Sequence, residues 1–340
     1  MSTTKNTDAA EFSRRRQSPQ QRIQHSLHAH PWLSPLVLLA VTSAIFAIAN
    51  PRYFALGSQS LLLQQVAVIA CLAIGQTLII LTGGIDLSVG AITILSMMVM
   101  ASLAANNGVS AGIALIIGVA LATIAGLLNG LLVTKVRLPP FIVTLGTLSI
   151  FMALAYLYSG GQSIQNTRLP DLINWTGTAF SIGEFGLTVG VVMVVVLYLV
   201  VGFALSQTAW GRHVYAVGDD PEAARLSGVA SKRVIISVYT TAGLIYGFAA
   251  WIQIGRAGAA SPNGLTDVNL DTITAVVIGG TSLFGGRGGL LGSLLGALIV
   301  GSFALGLSLI GVDQQWRLLA IGVLILIAVS IDQWIRKVKT

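Results

Sequence analysis

Long apolar runs separated by short polar breaks dominate this chain, and about 20 consecutive apolar residues are what a helix needs to cross the hydrocarbon core of a bilayer. Ten segments meet or approach that length: 33–50, 61–82, 86–105, 111–134, 140–159, 187–206, 234–254, 271–285, 289–311 and 316–335. The eighth is short and interrupted by glycine. The roughly ten-residue alternation of a transmembrane β-strand is absent. Charged positions are scarce and unevenly placed. From Pro31 to Thr134 only Arg52 and Asp86 are charged, whereas Trp210–Arg233 (WGRHVYAVGDDPEAARLSGVASKR) holds Arg212, Asp219, Asp220, Glu222, Arg225, Lys232 and Arg233. The pattern predicts an all-α polytopic membrane protein of about ten transmembrane helices, some of them glycine-broken, in one bundle over 33–335. A polar tail (1–32) precedes the bundle, a charged loop (207–233) interrupts it and a basic end (336–340) follows it.

Composition agrees with the periodicity. The chain is 54% hydrophobic and 9% charged, with a mean hydropathy of +0.83, far from the soluble average of roughly a quarter charged. Its 38 glycines suit helices that associate in lipid through small residues, and Gly126–Gly130 (GLLNG) is one such spacing. The net charge of +7 comes without the basic stripe and interleaved aromatics of a nucleic-acid binder. Loop asymmetry accounts for it instead. With the N-terminus inside, fifteen of the 19 basic residues fall on the cytoplasmic side and only Arg52, Arg168, Arg256 and Arg317 outside, as the positive-inside rule requires. Both termini and the Trp210–Arg233 island are then cytoplasmic. Leu33–Ala49 lacks a small-residue cleavage site and reads as an anchor that stays in the protein. Cys71, in an apolar run, reads as a packing residue, and His25, His28 and His30 belong to a solvated tail rather than a metal site.

Two breaks stand out, Gly83–Gly90 (GGIDLSVG) and Ile278–Gly286 (IGGTSLFGG). Non-helical backbone at membrane depth persists only where protein buries it or it lines a cavity, so the pair suggests a pseudo-symmetric transport core. Glycines that merely let helices cross closely are the alternative. Asp86 either lines a path or caps the helix starting near Leu87. Asp271 is expected to cap an outer helix start. Pro139–Pro140 begins a helix, and the loop Gly160–Gly186, with Trp175 and Phe180, is long enough to fold back and present a docking face. No GxxxxGK[ST] phosphate loop, HExxH, CxxC pair or GxSxG elbow occurs, so nucleotide energy would have to come from a partner. The remaining enzyme idea is an Asp86–Asp271 dyad of the intramembrane aspartyl protease kind, for which the flanking Gly-Gly-Ile-Asp is a poor match.

Within the island, Asp219 or Asp220 as N-cap, Pro221 in the first turn, Glu222 near the positive end and Gly228 as terminator specify a helix of about two turns. Such a helix suits a groove on a partner, or serves as a solvated connector.

Five stretches carry a resemblance: Gly83–Gly90, Pro139–Thr147 (PPFIVTLGT), Gly211–Gly228, Leu270–Gly286 and Gly292–Val300 (GSLLGALIV). Together they resemble the permease subunits of bacterial monosaccharide ABC importers of the ribose, galactoside and xylose type, more distantly the branched-chain amino-acid permeases. The resemblance implies a ten-helix permease of the bacterial inner membrane that performs no catalysis and binds no cofactor of its own. ATP and Mg would be used by a partner ATPase subunit. An external sugar-binding protein and a second permease copy or paralogue are implied as further partners. Asp219, Asp220, Glu222, Ala223, Ala224, Arg225, Leu226 and Gly228 look like the coupling helix that docks on the ATPase, so Ala224→Glu is expected to uncouple ATP hydrolysis from transport. Asp219-Asp220 stands where the family commonly has Gly-Asn. For the translocation path the expected residues are Asp86, Ser88, Thr144, Thr147, Thr281 and Ser282. An ion-coupled secondary transporter with Asp86 as its ion site is the alternative.

Overall fold

The computed structural model describes residues 32–326 except 266, 314, 317, 321, 324 and 325. Its helices follow the apolar segments: α1 (Leu33–Ala49), α2 (Leu56–Leu81), α3 (Val89–Ala105), α4 (Ala111–Leu131) with a π-type turn Leu132–Val136, and α5 (Pro140–Ser159). A distal elaboration follows, made of β1 (Ile164–Gln165), α6 (Asp171–Asn174), β2 (Ala179–Ile182) and β3 (Phe185–Thr188). Then come α7 (Val189–Gln207), α8 (Ala209–Asp219), α9 (Pro221–Leu226), α10 (Ser231–Ala257), β4 (Ala259–Ala260), α11 (Val268–Ile278) and α12 (Leu290–Leu309). Nine of the ten predicted segments are therefore helices, and most of the tenth, 316–335, lies outside the described residues. Among those residues six helices are long and apolar enough to cross a membrane: α2, α4 with its π turn, α5, α7, α10 and α12; α1, α3 and α11 are shorter apolar helices.

The breaks shorten their helices. The third segment begins at Val89 rather than 86, and the eighth runs only from Val268 to Ile278 before eleven non-helical residues lead into α12. A helix that is apolar all round belongs in the interior, and α2 is that helix: nearly every residue from Val66 to Leu81 is buried, against α10, α12, α11 and α7. The flanking α4, α5 and α7 turn large apolar side chains outward, among them Ile116, Leu157, Leu199 and Phe203, as a lipid-facing rim requires.

One close crossing joins α4 to α10. A Cβ on Gly126 would stand 2.3 Å from the Tyr239 carbonyl oxygen, and one on Gly243 would stand 2.4 Å from that of Ala122. The backbones touch there, as the GLLNG spacing predicts, and only glycine permits it.

The loops gather at two ends. At the distal end the Asn50 side chain donates to Leu309 O at 2.7 Å, Ser60 Oγ to Gly186 O at 2.5 Å and Arg168 to Asn106 Oδ1 at 3.0 Å. There β1 pairs antiparallel with β4, Ile164 opposite Ala260, and β2 with β3 form a hairpin. In the Gly160–Gly186 loop the Trp175 ring lies 5.7 Å from that of Trp251, which packs this loop against α10. The opposite end, called here the island end, carries 82–88, 132–139, 208–230 and 279–289.

Candidate functional site

The island folds as two helices, not one. Thr208 caps α8, accepting from Gly211 N at 3.4 Å, and the turn from α7 is so tight that a Cβ on Gly211 would lie 1.9 Å from Leu205 O. Val214 and Val217 bury one face of α8 completely. Trp210 Nε1 donates to Ser237 Oγ at 2.8 Å and the Tyr215 hydroxyl to Gly288 O at 2.9 Å. Burial pushes the Tyr215 phenol above its ordinary value, which keeps it a donor. Sequence reading missed this helix because its polar residues masked the buried stripe at 211, 214, 217 and 218.

Of the two candidate caps, Asp220 is the one used. Its Oδ1 accepts from Glu222 N at 2.9 Å and Ala223 N at 3.0 Å, while Asp219 ends α8. Pro221 opens α9, Arg225 pairs with Glu222 at 2.8 Å, and Gly228 takes φ +86° past the helix end. The predicted docking set divides by exposure. Asp219, Asp220, Glu222, Ala223, Arg225, Leu226 and Gly228 are exposed or lie at the surface, Leu226 at 80%, whereas Ala224 is buried within the chain at 5%. Ala224 seats α9 on the bundle and presents nothing to a partner, so the expectation that Ala224→Glu would test docking is corrected: it would unseat the helix.

Both glycine breaks meet the end of α8. Gly286 N donates to Leu81 O at 3.0 Å. A Cβ on Gly218 would stand 1.7 Å from that same oxygen and 2.7 Å from Gly286 N, and one on Gly285 would stand 2.6 Å from Gly218 O and 3.0 Å from Gly83 N. Three chain segments far apart in sequence thus touch backbone to backbone, at the end of α8 from which α9 follows. The spacing of glycines in each break signalled a close approach; that the third partner would be Gly218 had no signal in one sequence.

Asp86, Ser88 and Thr144 come together just inside this junction. Asp86 is 1% exposed, and its Oδ1 accepts from Ser88 N at 2.8 Å and Ser88 Oγ at 2.6 Å. Ser88 Oγ in turn accepts from Asn129 Nδ2 at 2.9 Å, tying the break to α4. Thr144 Oγ1 donates to Ile85 O at 2.9 Å, tying it to α5. Asp86 therefore shapes the turn into α3, with Ser88 at the N-cap position. Thr147 sits one turn along α5 and leans on Thr144 O. Thr281 and Ser282 belong to the opposite break, where Ser282 N donates to Arg287 O at 2.9 Å and Ser282 Oγ accepts from Phe284 N at 3.2 Å. GLLNG reads as a packing motif and so hides Asn129, although an isolated amide in an apolar helix is itself a signal.

A cavity of about 510 Å³ opens at the distal end among α2, α10, α11 and α12. None of the six expected path residues lines it. Its polar wall is Gln65, Gln253, Arg256, Asn263, Asp267, Asp271 and Ser308. Asp271 lies inside the first turn of α11, which begins three residues earlier than expected, with Asp267 at the N-cap position; it is not the cap. The rest of α11, about 12 Å at 1.5 Å per residue, separates Asp271 from the island-end break, so a shared-proton dyad with Asp86 does not form. Among the described residues no group of three His, Cys, Asp or Glu could hold a metal.

Residues 59–329 match the family described as branched-chain amino acid transport system / permease component. The chain is 47% identical over 336 residues to the fructose import permease protein FrcC of Rhizobium meliloti, covering 98% of this chain and 93% of the relative. It is 39% identical to the ribose import permease protein RbsC of Bacillus subtilis (88% and 92% covered). Against the D-allose transport system permease protein AlsC of Escherichia coli the identity is 34% (88% and 91% covered). No solved structure matches the chain.

Proposed function

The chain belongs to the permease-component family of branched-chain amino acid transport systems, and from that premise we propose that it is the membrane-spanning subunit of an ATP-driven bacterial importer of a monosaccharide. Relatives named for fructose, ribose and allose, each aligned over most of both chains, support the sugar class. The observation that carries the reading is α9: a capped helix with an exposed face, joined through Asp220 to the end of α8 where the two glycine breaks meet. A chain without a phosphate loop needs such a surface to receive work from an ATPase. In that assembly the partner ATPase subunits use ATP and Mg, a binding protein delivers sugar at the distal end, and a second permease copy or paralogue completes the complex.

The island end is then cytoplasmic and the distal end external. Among the described residues Lys135, Arg137, Arg212, Arg225, Lys232, Arg233 and Arg287 lie at the island end, and Arg52, Arg168 and Arg256 at the distal end, the bias expected of that orientation. About ten spans, with both termini inside, complete this topology. ATP-driven closure of the ATPases pushes α9, and rigid-body motion of the bundle switches access from outside to inside. Uptake by proteoliposomes tests the reading: sugar import should require ATP, the ATPase and the binding protein together. Uptake that persists with this chain alone, driven by an ion gradient, would establish the secondary-transporter alternative.

A further inference from the structure

Resting on the sugar-import reading, we infer that each copy of this chain holds its own monosaccharide-contact site in the distal cavity, with Gln253, Arg256, Asp267 and Asp271 as its polar partners. The cavity, about 510 Å³, falls within the 300–1,000 Å³ span of small-molecule sites. Its chemistry is that of a polyhydroxyl ligand. Each sugar hydroxyl both donates and accepts, and the wall offers two carboxylates as acceptors, a guanidinium as donor and amides that do both. Val68 and Leu307, also on the wall, give an apolar surface for the C–H face of a sugar ring. A wall that carries both signs of charge suits a neutral polar solute better than an ion of either sign.

Gln253 is the most constrained of these groups. It is 2% exposed on a membrane-length helix, where a buried amide must be satisfied. Arg256 Nε donates to its Oε1 at 3.1 Å, which fixes the amide and leaves the Nε2 edge as its donor. A Cβ on Gly264 would stand 3.7 Å from Nε2, so the 261–264 loop passes beside this amide without filling the cavity. The site also sits at one end of α10, whose other end follows α9.

A thiol placed at the cavity rim tests the inference. Ser308 is exposed and lines the cavity, and the native thiol, Cys71, is fully buried. Ser308→Cys would be labelled with a membrane-impermeant maleimide in the permease–ATPase complex in nanodiscs, without binding protein. D-fructose or D-ribose in excess should slow labelling by about threefold or more, the occupancy factor at twice the dissociation constant, whereas betaine at the same concentration should not. Adding Gln253→Leu or the near-isosteric Asp271→Asn should abolish the protection and cut binding-protein-dependent uptake by about tenfold, as loss of a charge-assisted or buried hydrogen bond would. Protection by no monosaccharide, in a complex that still imports sugar when the binding protein is added, overturns the site. Protection that survives both substitutions overturns it equally. A wild-type complex that imports no monosaccharide instead refutes the function on which the site rests.

Discussion

Replacing Gly218 by alanine adds one carbon where a Cβ has less room than at any other described glycine. The new Cβ would stand 1.7 Å from Leu81 O, 2.9 Å from Leu81 C and 2.7 Å from Gly286 N. All three are backbone atoms of buried or turn segments, so no side chain can rotate aside. The new carbon would press on both atoms of the hydrogen bond from Gly286 N–H to Leu81 O, now 3.0 Å long, so relief either drives α8 out or parts that bond. Forcing a methyl into a packed interior costs about 1–3 kcal/mol, and leaving that amide or carbonyl without a partner costs about 1–3 kcal/mol more. The expected loss is therefore roughly 2–6 kcal/mol, and a fall in Tm of roughly 5–15 °C, measured on the purified subunit in detergent. Because α9 continues from the same end of α8, coupled sugar uptake should fall further than the amount of folded protein. Gly146→Ala is the matched control: nothing lies within 4 Å of its added carbon, and it should be silent. A Gly218→Ala protein with unchanged Tm and full uptake would refute the three-way junction.

Leu226→Glu removes an exposed apolar side chain that touches little of its own chain; it should leave Tm unchanged but weaken ATPase pull-down by roughly 10-fold or more, since burying a leucine contributes about 1.5–3 kcal/mol. Ala224→Glu should instead lower Tm, as a charge driven under α9 unseats it, and equal Tm values for these two variants would contradict the division of the helix into seated and docking faces. Asp220→Ala should cost about 1 kcal/mol by removing the cap of α9, read as faster hydrogen exchange at Glu222 and Ala223. Asp86→Asn keeps an acceptor for Ser88 and should hold uptake within a few-fold, whereas Asp86→Leu strands the Ser88 donors at about 1–3 kcal/mol; abolition of uptake by the asparagine alone would favour an ion site.

Helices were legible wherever their apolar runs were continuous, because burial in lipid or protein demands the same composition along the whole segment. That is why α4, α5 and α7 agree with the predicted segments to within about three residues, although they face outward and α2 faces inward. The breaks were legible as breaks, but not as partners of each other. Gly83, Gly218 and Gly285 are separated by most of the chain, and only tertiary folding decides which backbone each will meet. The Asp220 cap was readable because capping is local; the burial of Ala224 was not, since a six-residue helix has no period long enough to mark its inner face. The distal cavity was invisible for the same reason. Gln65, Gln253, Asp271 and Ser308 come from four helices, and each alone looks like an ordinary polar residue at the edge of an apolar run.

Helix α10 runs unbroken for 27 residues, about 40 Å at 1.5 Å per residue. Its glycine contact with α4, at Gly243, falls near the middle of that length. A tilt of about 10° there would swing the α9 end and the Gln253 end roughly 3.5 Å in opposite senses, from arms of about 20 Å, the latter carrying with it the Thr176–Gly177 turn that packs on Gly255. Closing one mouth of the bundle and opening the other would then be one movement, and the methyl-free crossing of Gly126 and Gly243 would be its bearing.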